Sequence, residues 1–338
     1  MRYLFYRQDC CMGCRIPIAK FLALCVFFTF IIGCFIAISP ITKDDCKCIN
    51  EKYLINADTH KVLKNLKDGE DVPPSQHKLA VLVPYRDRFE ELLIFAPHIH
   101  NFLLQQNVNH HIFVLNQVDH YRFNRASLIN VGFHESHSDY DYIAMHDVDL
   151  LPLNPELPYK YPERGPFHVA SPQLHPRYHY PTFVGGILLI KREDFLRVNG
   201  MSNKYWGWGL EDDEFYVRLK EAGLNVSRPV SISTGTNNTF RHIHDKNRRK
   251  RDMTKCYNQR EVTRRRDRQT GLNSVGYLVE SVQEVTIDSA PLTIINIHLK
   301  CNKQLTPWCE CTESGSSNNG SIPDIKYNLK KKQDIIKF

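Results

Sequence analysis

The sequence lacks cysteine over its long middle part, and it lacks the common nucleotide-binding fingerprints. Eleven cysteines in 338 residues are too few for a disulfide-scaffold protein, and none lies between Cys48 and Cys256. Neither a Walker A pattern nor a G-x-G-x-x-G pattern occurs, which argues against P-loop kinases and NAD-dependent enzymes. Collagen-like repeats are absent as well, so a fibrous protein is excluded.

Charge of one sign does not dominate the composition either. The sequence has 44 Lys and Arg against 37 Asp and Glu, a formal net charge of +7, and 42% hydrophobic residues. This excludes a disordered polyelectrolyte, and so mild a basic excess gives no reason to expect nucleic acid as a partner. The mean hydropathy is negative, which excludes a polytopic membrane protein. The length predicts one large domain or two small ones.

One apolar run is long enough to cross a membrane. Residues 21–38 carry no charge, and as a helix they would span roughly 27 Å, close to a bilayer core of about 30 Å. Basic residues precede this run, so we expect residues 1–20 in the cytosol and the rest in the lumen, as in a single-pass type II protein. A cleaved signal peptide is the alternative, but no small-x-small cleavage site precedes Pro40.

The remaining chain divides by composition. Residues 39–77 are predicted to be a stem, residues 78–312 the luminal catalytic domain, and residues 313–338 a flexible tail. Candidate glycosylation sites are Asn225, Asn237 and Asn319. Three thiols of the cytosolic tail are either palmitoylated or inert: Cys10, Cys11 and Cys14.

Four cysteines lie near the end of the catalytic domain: Cys256, Cys301, Cys309 and Cys311. An even set after a long thiol-free stretch predicts two disulfides and a secretory protein. Zinc is the alternative, but a C-x-C spacing is tighter than zinc sites usually have. Three connectivities are open. We favour Cys256–Cys311 enclosing Cys301–Cys309, because the short inner loop can close as a hairpin.

Short apolar runs alternate with helical patterns in the first half of the catalytic domain. Strands are predicted at 79–83, 111–115, 142–145 and 187–190, and helices at 98–106, 124–133 and 211–222. This alternation predicts an α/β domain with a mostly parallel sheet. Ligands bind beyond the carboxyl ends of such strands, so functional side chains are expected there.

Two patterns of metal-binding side chains lie far apart in the sequence. Asp147-Val-Asp149 follows the third predicted strand, and His242 and His244 project to the same side of an extended segment. Carboxylates combined with imidazoles suit Mn²⁺ better than Mg²⁺. A solvated turn and a pair of surface histidines are the alternatives, and the presence of both patterns favours a metal.

Guanidinium and aromatic side chains also follow predicted strands. Arg86 and Arg88 come after Pro84 at the end of the first strand, and Phe123 and Arg125 begin a helix. Each arginine alone could form a structural ion pair. Beside a metal site, the set predicts a pocket for a nucleoside diphosphate.

The segment 205–214 is the richest in functional side chains. Trp206-Gly-Trp208-Gly offers flat apolar faces for a sugar, and four consecutive carboxylates follow from Glu211 to Glu214. A carboxylate beside an indole is a good general base. An acidic helix N-terminus is the alternative; it explains the acids but not the aromatics.

Five sequence blocks together resemble the animal β-1,4-galactosyltransferase family, in family order: residues 83–88, 123–133, 147–149, 183–186 and 206–213. The resemblance implies a GT-A fold, a type II Golgi membrane enzyme, Mn²⁺ as cofactor, and UDP-galactose as donor. Two features point to the branch that transfers galactose to xylose. One is His242-Ile-His244, and the other is Leu210, a position at which lactose-type relatives carry glycine.

The resemblance also implies residue roles. Asp212 matches the catalytic base, Asp149 a metal ligand, and His242 and His244 the metal-binding histidine segment. The expected donor-binding residues are Pro84, Arg86, Arg88, Phe123, Arg125, Asp147, Gly185, Gly186 and Trp208. Glu211 and Asp213 match acceptor contacts. Leu210, Tyr178 and Tyr180 are expected to complete the acceptor wall, although both tyrosines could simply pack the loop.

The implied activity is inverting, Mn²⁺-dependent transfer of galactose from UDP-galactose to the 4-hydroxyl of β-xylose on proteoglycan core proteins. One alternative is a family member that acts on N-acetylglucosamine, and another is a non-catalytic luminal lectin. The basic runs at 246–251 and 264–266 favour an acidic acceptor polypeptide or are merely solvated loops.

Overall fold

The computed structural model describes residues 26–32, 76–245 and 247–311. The chain forms two compact units, 1–70 and 71–338. Residues 26–32, within the predicted membrane segment, are helical. Among the described residues, no helix is both long and apolar enough to cross a bilayer. The rest of that segment, the cytosolic thiols, the stem up to residue 75, Asn319 and the tail lie outside the described residues and stay predictions.

The second unit combines a β-sheet with helices. Its described strands are β1 Lys78–Tyr85, β2 Asn109–Gln117, β3 Tyr142–His146, β4 Leu150–Pro152, β5 Phe167–His168, β6 Ile187–Lys191, β7 Phe240–His242, β8 Tyr277–Ile287 and β9 Ala290–Leu299. Its described α-helices are α1 Phe89–Gln105, α2 Arg125–Glu135, α3 Arg192–Arg197, α4 Glu211–Glu221 and α5 Gln259–Val262. Two short 3₁₀ helices span Leu272–Ser274 and Pro307–Cys309.

The main sheet is mixed rather than mostly parallel. Its seven strands have the order β5-β6-β3-β1-β2-β9-β8. The central strands β3, β1, β2 and β9 are parallel, whereas β5, β6 and β8 pair antiparallel with their neighbours. The prediction of a mostly parallel sheet is therefore correct only for the centre. β8 must run antiparallel to β9, because only two residues, Asp288 and Ser289, connect the strands.

The sheet is buried on both faces, as a central parallel sheet requires. Alternate residues of β1 enter two separate cores: Leu79, Val81 and Val83 pack with α1, whereas Ala80 and Leu82 pack with α2. Helix α2 lies close to β2, and a Cβ on Gly132 would overlap the side chain of Leu115. This packing fixes the start of α2 at the carboxyl ends of β1 and β2.

Several parts of the fold differ from the predicted elements: the short elements β4, β5, β7, α3 and α5 have no predicted counterpart, and two long elements differ more strongly. Helix α1 begins at Phe89, well before the predicted start, and it continues through Pro97, which removes one backbone donor without ending the helix. The long strands β8 and β9 have no counterpart among the predicted strands. In the structure, exposed and partly buried residues alternate along much of β8, and Asp288 and Ser289 form the connecting turn with positive φ.

The four C-terminal cysteines form two nested bridges in the structure. Cys256 joins Cys311 and Cys301 joins Cys309, with sequence separations of 55 and 8 residues. All four sulfurs are therefore committed, which leaves none of these thiols for zinc. The outer bridge connects the segment after the histidine pair to the end of the described domain.

We expect non-reducing peptide mapping of residues 78–312 to recover both pairs. Reduction should lower the free energy of unfolding by roughly 4 kcal/mol through the longer loop alone, because cross-linking restricts the unfolded chain. Denaturant unfolding with and without reductant measures this loss. Four alkylatable thiols in the native protein would contradict the pairing.

Candidate active site

A cavity of about 670 Å³ opens beside the carboxyl ends of β1 and β3. Every predicted metal, donor, acceptor and catalytic residue lines it except Gly185. The lining comes from the ends of β1 and β3, the start of α2, residues 175–186, residues 207–213 and residues 242–255. The sheet thus gathers side chains that are up to about 170 positions apart in sequence at the edge where ligands bind in α/β folds.

A two-stranded sheet brings the histidines to Asp149. Strand β4 pairs antiparallel with β7, so that Leu150 lies opposite His242, and the amide of Ile243 donates to the carbonyl of Asp149. His242 Nε2 lies 3.8 Å from Asp149 Oδ1, and His244 Nδ1 lies 3.3 Å from Asp149 Oδ2. Burial lowers the pKa of His242 to about 4, so its imidazole is neutral near pH 7 and able to ligate.

Arg88 and Asp149 compete for the same nitrogen of His244. Its Nδ1 lies 3.2 Å from Arg88 Nη1 and 3.3 Å from Asp149 Oδ2. A guanidinium only donates and a carboxylate only accepts, so this nitrogen can hydrogen-bond to only one of them at a time. Within the described residues, no group of three His, Cys, Asp or Glu side chains is arranged to hold a metal as it stands. To hold an ion, the side chains would therefore have to move closer together; the candidate ligands are Asp149, His242 and His244.

Arg125 bridges two carboxylates in the middle of the cavity. Its Nε donates to Asp147 Oδ1 at 2.7 Å and its Nη1 to Asp212 Oδ1 at 3.0 Å. Its Nη2 is buried and has no protein partner. Burial opposes the charge of Arg125, but Asp147 and Asp212 outweigh it and raise the pKa of the guanidinium, which stays charged.

Asp212 has the environment of a general base. It lies in the first turn of α4, and burial raises its pKa to about 7; Arg125 opposes this rise, and Glu211 adds to it. A Cβ at Gly185 would overlap the Asp212 carboxylate, so only glycine permits this approach. Gly185 thus contributes to the site by its missing side chain, although it does not line the cavity.

The carboxylates beside Asp212 differ in their partners. Burial raises the pKa of Glu211, and its buried Oε2 has no protein partner. The pKa of Asp213 is also raised by burial, although a hydrogen bond with Tyr180 opposes the rise. Tyr180 therefore belongs to the polar lining, whereas the ring of Tyr178 packs 5.0 Å from that of Phe183. An acceptor hydroxyl could replace the missing partner of Glu211.

The two tryptophans of the glycine-rich loop have separate locations. Trp206 is 3% exposed and belongs to the core, whereas Trp208 is 37% exposed and lines the cavity. The guanidinium of Arg251 lies 4.9 Å from the Trp208 ring. Leu210 also lines the cavity, and it has the left-handed backbone φ of 76°, a conformation that costs a leucine roughly 1–2 kcal/mol. This strained residue directly precedes α4.

The two arginines after β1 have structural partners. Arg86 donates to the carbonyl oxygens of Gln117, Asp119 and Tyr121, so its guanidinium holds the loop after β2. Arg88 contacts Glu91 and His244 and so supports the histidine cluster. Both line the cavity. Their predicted contacts with a donor stay predictions.

The basic runs separate in the structure. Arg248 and Arg249 pair with Glu90 beside the cavity, and Arg251 lies over Trp208. The second run instead makes ion pairs elsewhere: Arg265 pairs with Glu261, and Arg266 pairs with Glu214 and Glu221. Only the first run is therefore placed to meet an acceptor.

Sequence reasoning missed several residues of the site. His175 is buried in the lining, where its Nδ1 accepts from the amides of Arg177 and Tyr178. Lys255 lines the cavity and donates to the carbonyl of Trp208 at 2.9 Å. No motif surrounds either residue. The one available sequence signal is the position of Lys255 shortly after the histidine pair.

The chain matches known family models and is similar to named enzymes. A family model described as the N-terminal region of glycosyl transferase group 7 matches residues 38–162, and one described as the N-terminal domain of galactosyltransferase matches residues 165–243. β-1,4-Galactosyltransferase 7 of Drosophila melanogaster is 62% identical over 244 residues, which cover 72% of this chain and 76% of the relative.

Two crystal structures of the Drosophila enzyme are also similar. The catalytic domain in complex with xylobiose is 64% identical, with a TM-score of 0.69, and covers 70% of this chain and 100% of the solved chain. A mutant in complex with manganese, UDP-Gal and xylobiose is 63% identical, with the same TM-score and coverage. The mixed sheet described above is therefore of the GT-A type. The chain belongs to the β-1,4-galactosyltransferase family.

Proposed function

We propose that the protein is an inverting, Mn²⁺-dependent galactosyltransferase. It transfers galactose from UDP-galactose to the 4-hydroxyl of β-xylose on proteoglycan core proteins. The observation that carries this proposal is the arrangement of Asp212, half-buried and hydrogen-bonded to Arg125, in one cavity with Asp149 and the histidine pair. The manganese, UDP-Gal and xylobiose in the Drosophila structure support the choice of ligands.

The residues of the chain divide the reaction between them. Asp212 takes the proton of the acceptor 4-hydroxyl while that oxygen bonds to the anomeric carbon of galactose, and the bond from this carbon to UDP breaks. Arg125 orients Asp212, and Trp208 excludes water from the sugar. Asp149, His242 and His244 would hold Mn²⁺, which when bound neutralises charge on the leaving diphosphate. Attack from the far face converts an α linkage into a β product.

A direct assay tests the activity. Purified luminal domain is incubated with labelled UDP-galactose and either a β-xyloside or N-acetylglucosamine, with and without Mn²⁺. We expect Mn²⁺-dependent transfer to the xyloside and little to N-acetylglucosamine. Preferential transfer to N-acetylglucosamine would favour the other branch of the family. Binding of xyloside without transfer or UDP-galactose hydrolysis would indicate a lectin.

The pH profile follows from the environment of Asp212. A base must be ionised to accept a proton, so kcat/KM for the xyloside should rise with pH through about 7, the folded-state pKa, and level off above it. Glu211→Gln removes a negative charge that raises this pKa and should move the rise to lower pH. Profiles measured between about pH 5 and 9 test this. A flat profile would contradict it.

Leu210 is expected to decide between acceptors. Xylose lacks a hydroxymethyl group and an N-acetyl group, and an apolar side chain at the cavity wall favours this smaller sugar. Leu210→Gly should shift the ratio of kcat/KM for xyloside over N-acetylglucosamine by roughly 10- to 200-fold towards the larger sugar. The variant should keep its stability, because glycine relieves the left-handed strain.

The control for this change is Leu305→Gly, at an exposed leucine that does not line the cavity. It should leave the acceptor ratio unchanged. An unchanged ratio in Leu210→Gly as well would remove Leu210 from the specificity argument.

We also propose that the protein is a single-pass type II protein of the Golgi membrane with a luminal catalytic domain. The apolar run at 21–38 supports this. Asn225 and Asn237 are exposed, as acceptors of glycans must be. Protease treatment of sealed Golgi vesicles should spare the catalytic domain until detergent is added. Cleavage without detergent would overturn the orientation.

A further inference from the structure

Arg122 lies outside the cavity lining, yet it contacts three segments of the chain, and one of them lines the cavity at Asp252. Its side chain is only 10% exposed. Nε donates to Asp252 Oδ2 at 2.6 Å, and Nη2 donates to the carbonyl of Thr254 at 2.7 Å. Nη1 donates to Gln259 Oε1 at 2.9 Å and to the carbonyl of Trp308 at 3.0 Å. Four of its five N–H groups thus have protein acceptors, which is more than an ordinary surface ion pair uses.

These contacts reach the Trp208 loop from two directions. The amide of Trp208 donates to the carbonyl of Asp252 at 2.9 Å. Asp252 therefore contacts the loop through its backbone carbonyl, and it contacts Arg122 through its side-chain carboxylate. Gln259 donates to the carbonyl of Trp206 at 2.7 Å. A Cβ on Gly207 would overlap the guanidinium, which shows how closely the loop lies against it.

The backbone around Arg122 extends the same connection. Its own amide donates to the carbonyl of Cys309 at 2.9 Å, within the segment closed by the two disulfides. The amide of Gly207 donates to the carbonyl of Phe123, and two residues further Arg125 bridges Asp147 and Asp212. The loop, the start of α2 and the disulfide-linked segment therefore meet at one partly buried guanidinium.

We propose that Arg122 is a positioning residue that holds Trp208 at the mouth of the cavity through Asp252. It also ties this loop to the disulfide-linked end of the domain. Its effect on catalysis rests on the proposed function, whereas its effect on the Trp208 loop does not. Because the contacts use both the charge and the fork of the guanidinium, a lysine preserves only the ion pair with Asp252.

Acrylamide quenching of tryptophan fluorescence reads the loop without any enzyme assay. The protein has three tryptophans; Trp206 and Trp308 are 3% and 1% exposed, so Trp208 dominates quenching, and a Trp208→Phe variant supplies the background. In Arg122→Gln, quenching of Trp208 should rise roughly two- to threefold as its packing is lost. Arg122→Lys should give an intermediate rise.

The kinetic readout separates positioning from general damage. Arg122 contacts none of the three candidate metal ligands, so UDP affinity in Mn²⁺ should stay within about twofold of wild type. The kcat/KM for xyloside should fall by roughly tenfold or more, because Trp208 is displaced. The matched control is Arg192→Gln, which removes hydrogen bonds to Phe133 near the end of α2 and to Ser136 just after it; none of these residues lines the cavity. This control should change neither the quenching of Trp208 nor kcat/KM for the xyloside.

The outcomes decide the proposal in each case. Wild-type quenching in Arg122→Gln, or the same change in Arg192→Gln, would overturn it. If Arg122→Gln does not fold, Arg122→Lys and Asp252→Asn are combined; their effects on quenching must be less than additive, and additive effects would overturn the proposal. Absence of transfer in the wild type would refute the proposed function and leave the quenching test intact.

Discussion

Asp212→Asn should reduce transfer to the xyloside by at least about a hundredfold, the usual scale for a positioned general base. The amide is close in shape and keeps an oxygen to accept the hydrogen bond from Arg125, but it cannot take the acceptor proton. UDP and Mn²⁺ should bind as in wild type, because Asp212 contacts neither Asp149 nor the histidines. Single-turnover transfer and calorimetric UDP binding measure the two properties separately.

A matched control is Asp194→Asn. Asp194 is a buried carboxyl, and burial raises its pKa, as it does for Asp212. It lies on α3 and does not line the cavity. We expect near-normal transfer from this variant. Normal turnover by Asp212→Asn would place the base elsewhere. Glu211, with its unpartnered buried oxygen, would then be tested next.

Removal of the metal should have an effect of similar size. Chelation should abolish transfer, and Mn²⁺ should restore it better than Mg²⁺, because imidazole ligands favour Mn²⁺. Asp149→Asn should lower transfer by at least about a hundredfold and abolish the response to Mn²⁺, since several kcal/mol of charge stabilisation are lost. Mn²⁺ affinity measured by electron paramagnetic resonance gives a readout that does not depend on activity.

The control for the histidines is a second pair in the same protein. His100 Nδ1 lies 2.9 Å from His110 Nε2, and neither residue lines the cavity. His242→Ala and His244→Ala should weaken Mn²⁺ binding, whereas His100→Gln should not. Full activity in excess chelator would refute the metal assignment.

Local patterns predicted much of the sheet and the chemical character of the site. The apolar runs of β1, β2, β3 and β6 are readable because strands buried on both faces need uninterrupted apolar residues. Functional side chains follow these strands because parallel carboxyl ends meet at one edge. Strand β8 was missed because its exposed and partly buried residues form no such run, and β9 was missed because Thr293 and Asn296 interrupt its apolar residues although most of the strand is buried.

Only the tertiary structure decided how the candidate residues meet. The pairing of β4 with β7 carries His242 to Asp149 across about 90 residues, and no local pattern encodes a partner so far away. Burial likewise separates Trp206 from Trp208, although both adjoin Gly207 in sequence.

The sequence by itself determined which side chains are available: paired carboxylates, two imidazoles, and a tryptophan before an acidic run. The tertiary structure decided their states. Asp212 has a pKa of about 7 because folding shields it from water and places it beside Glu211. The charge of Arg125 offsets only part of this rise. Arg122 connects the loop to the disulfide-linked segment because its acceptors come from distant parts of the chain. Desolvation and long-range contacts are properties of the folded chain, so these features could not be read from residue order alone.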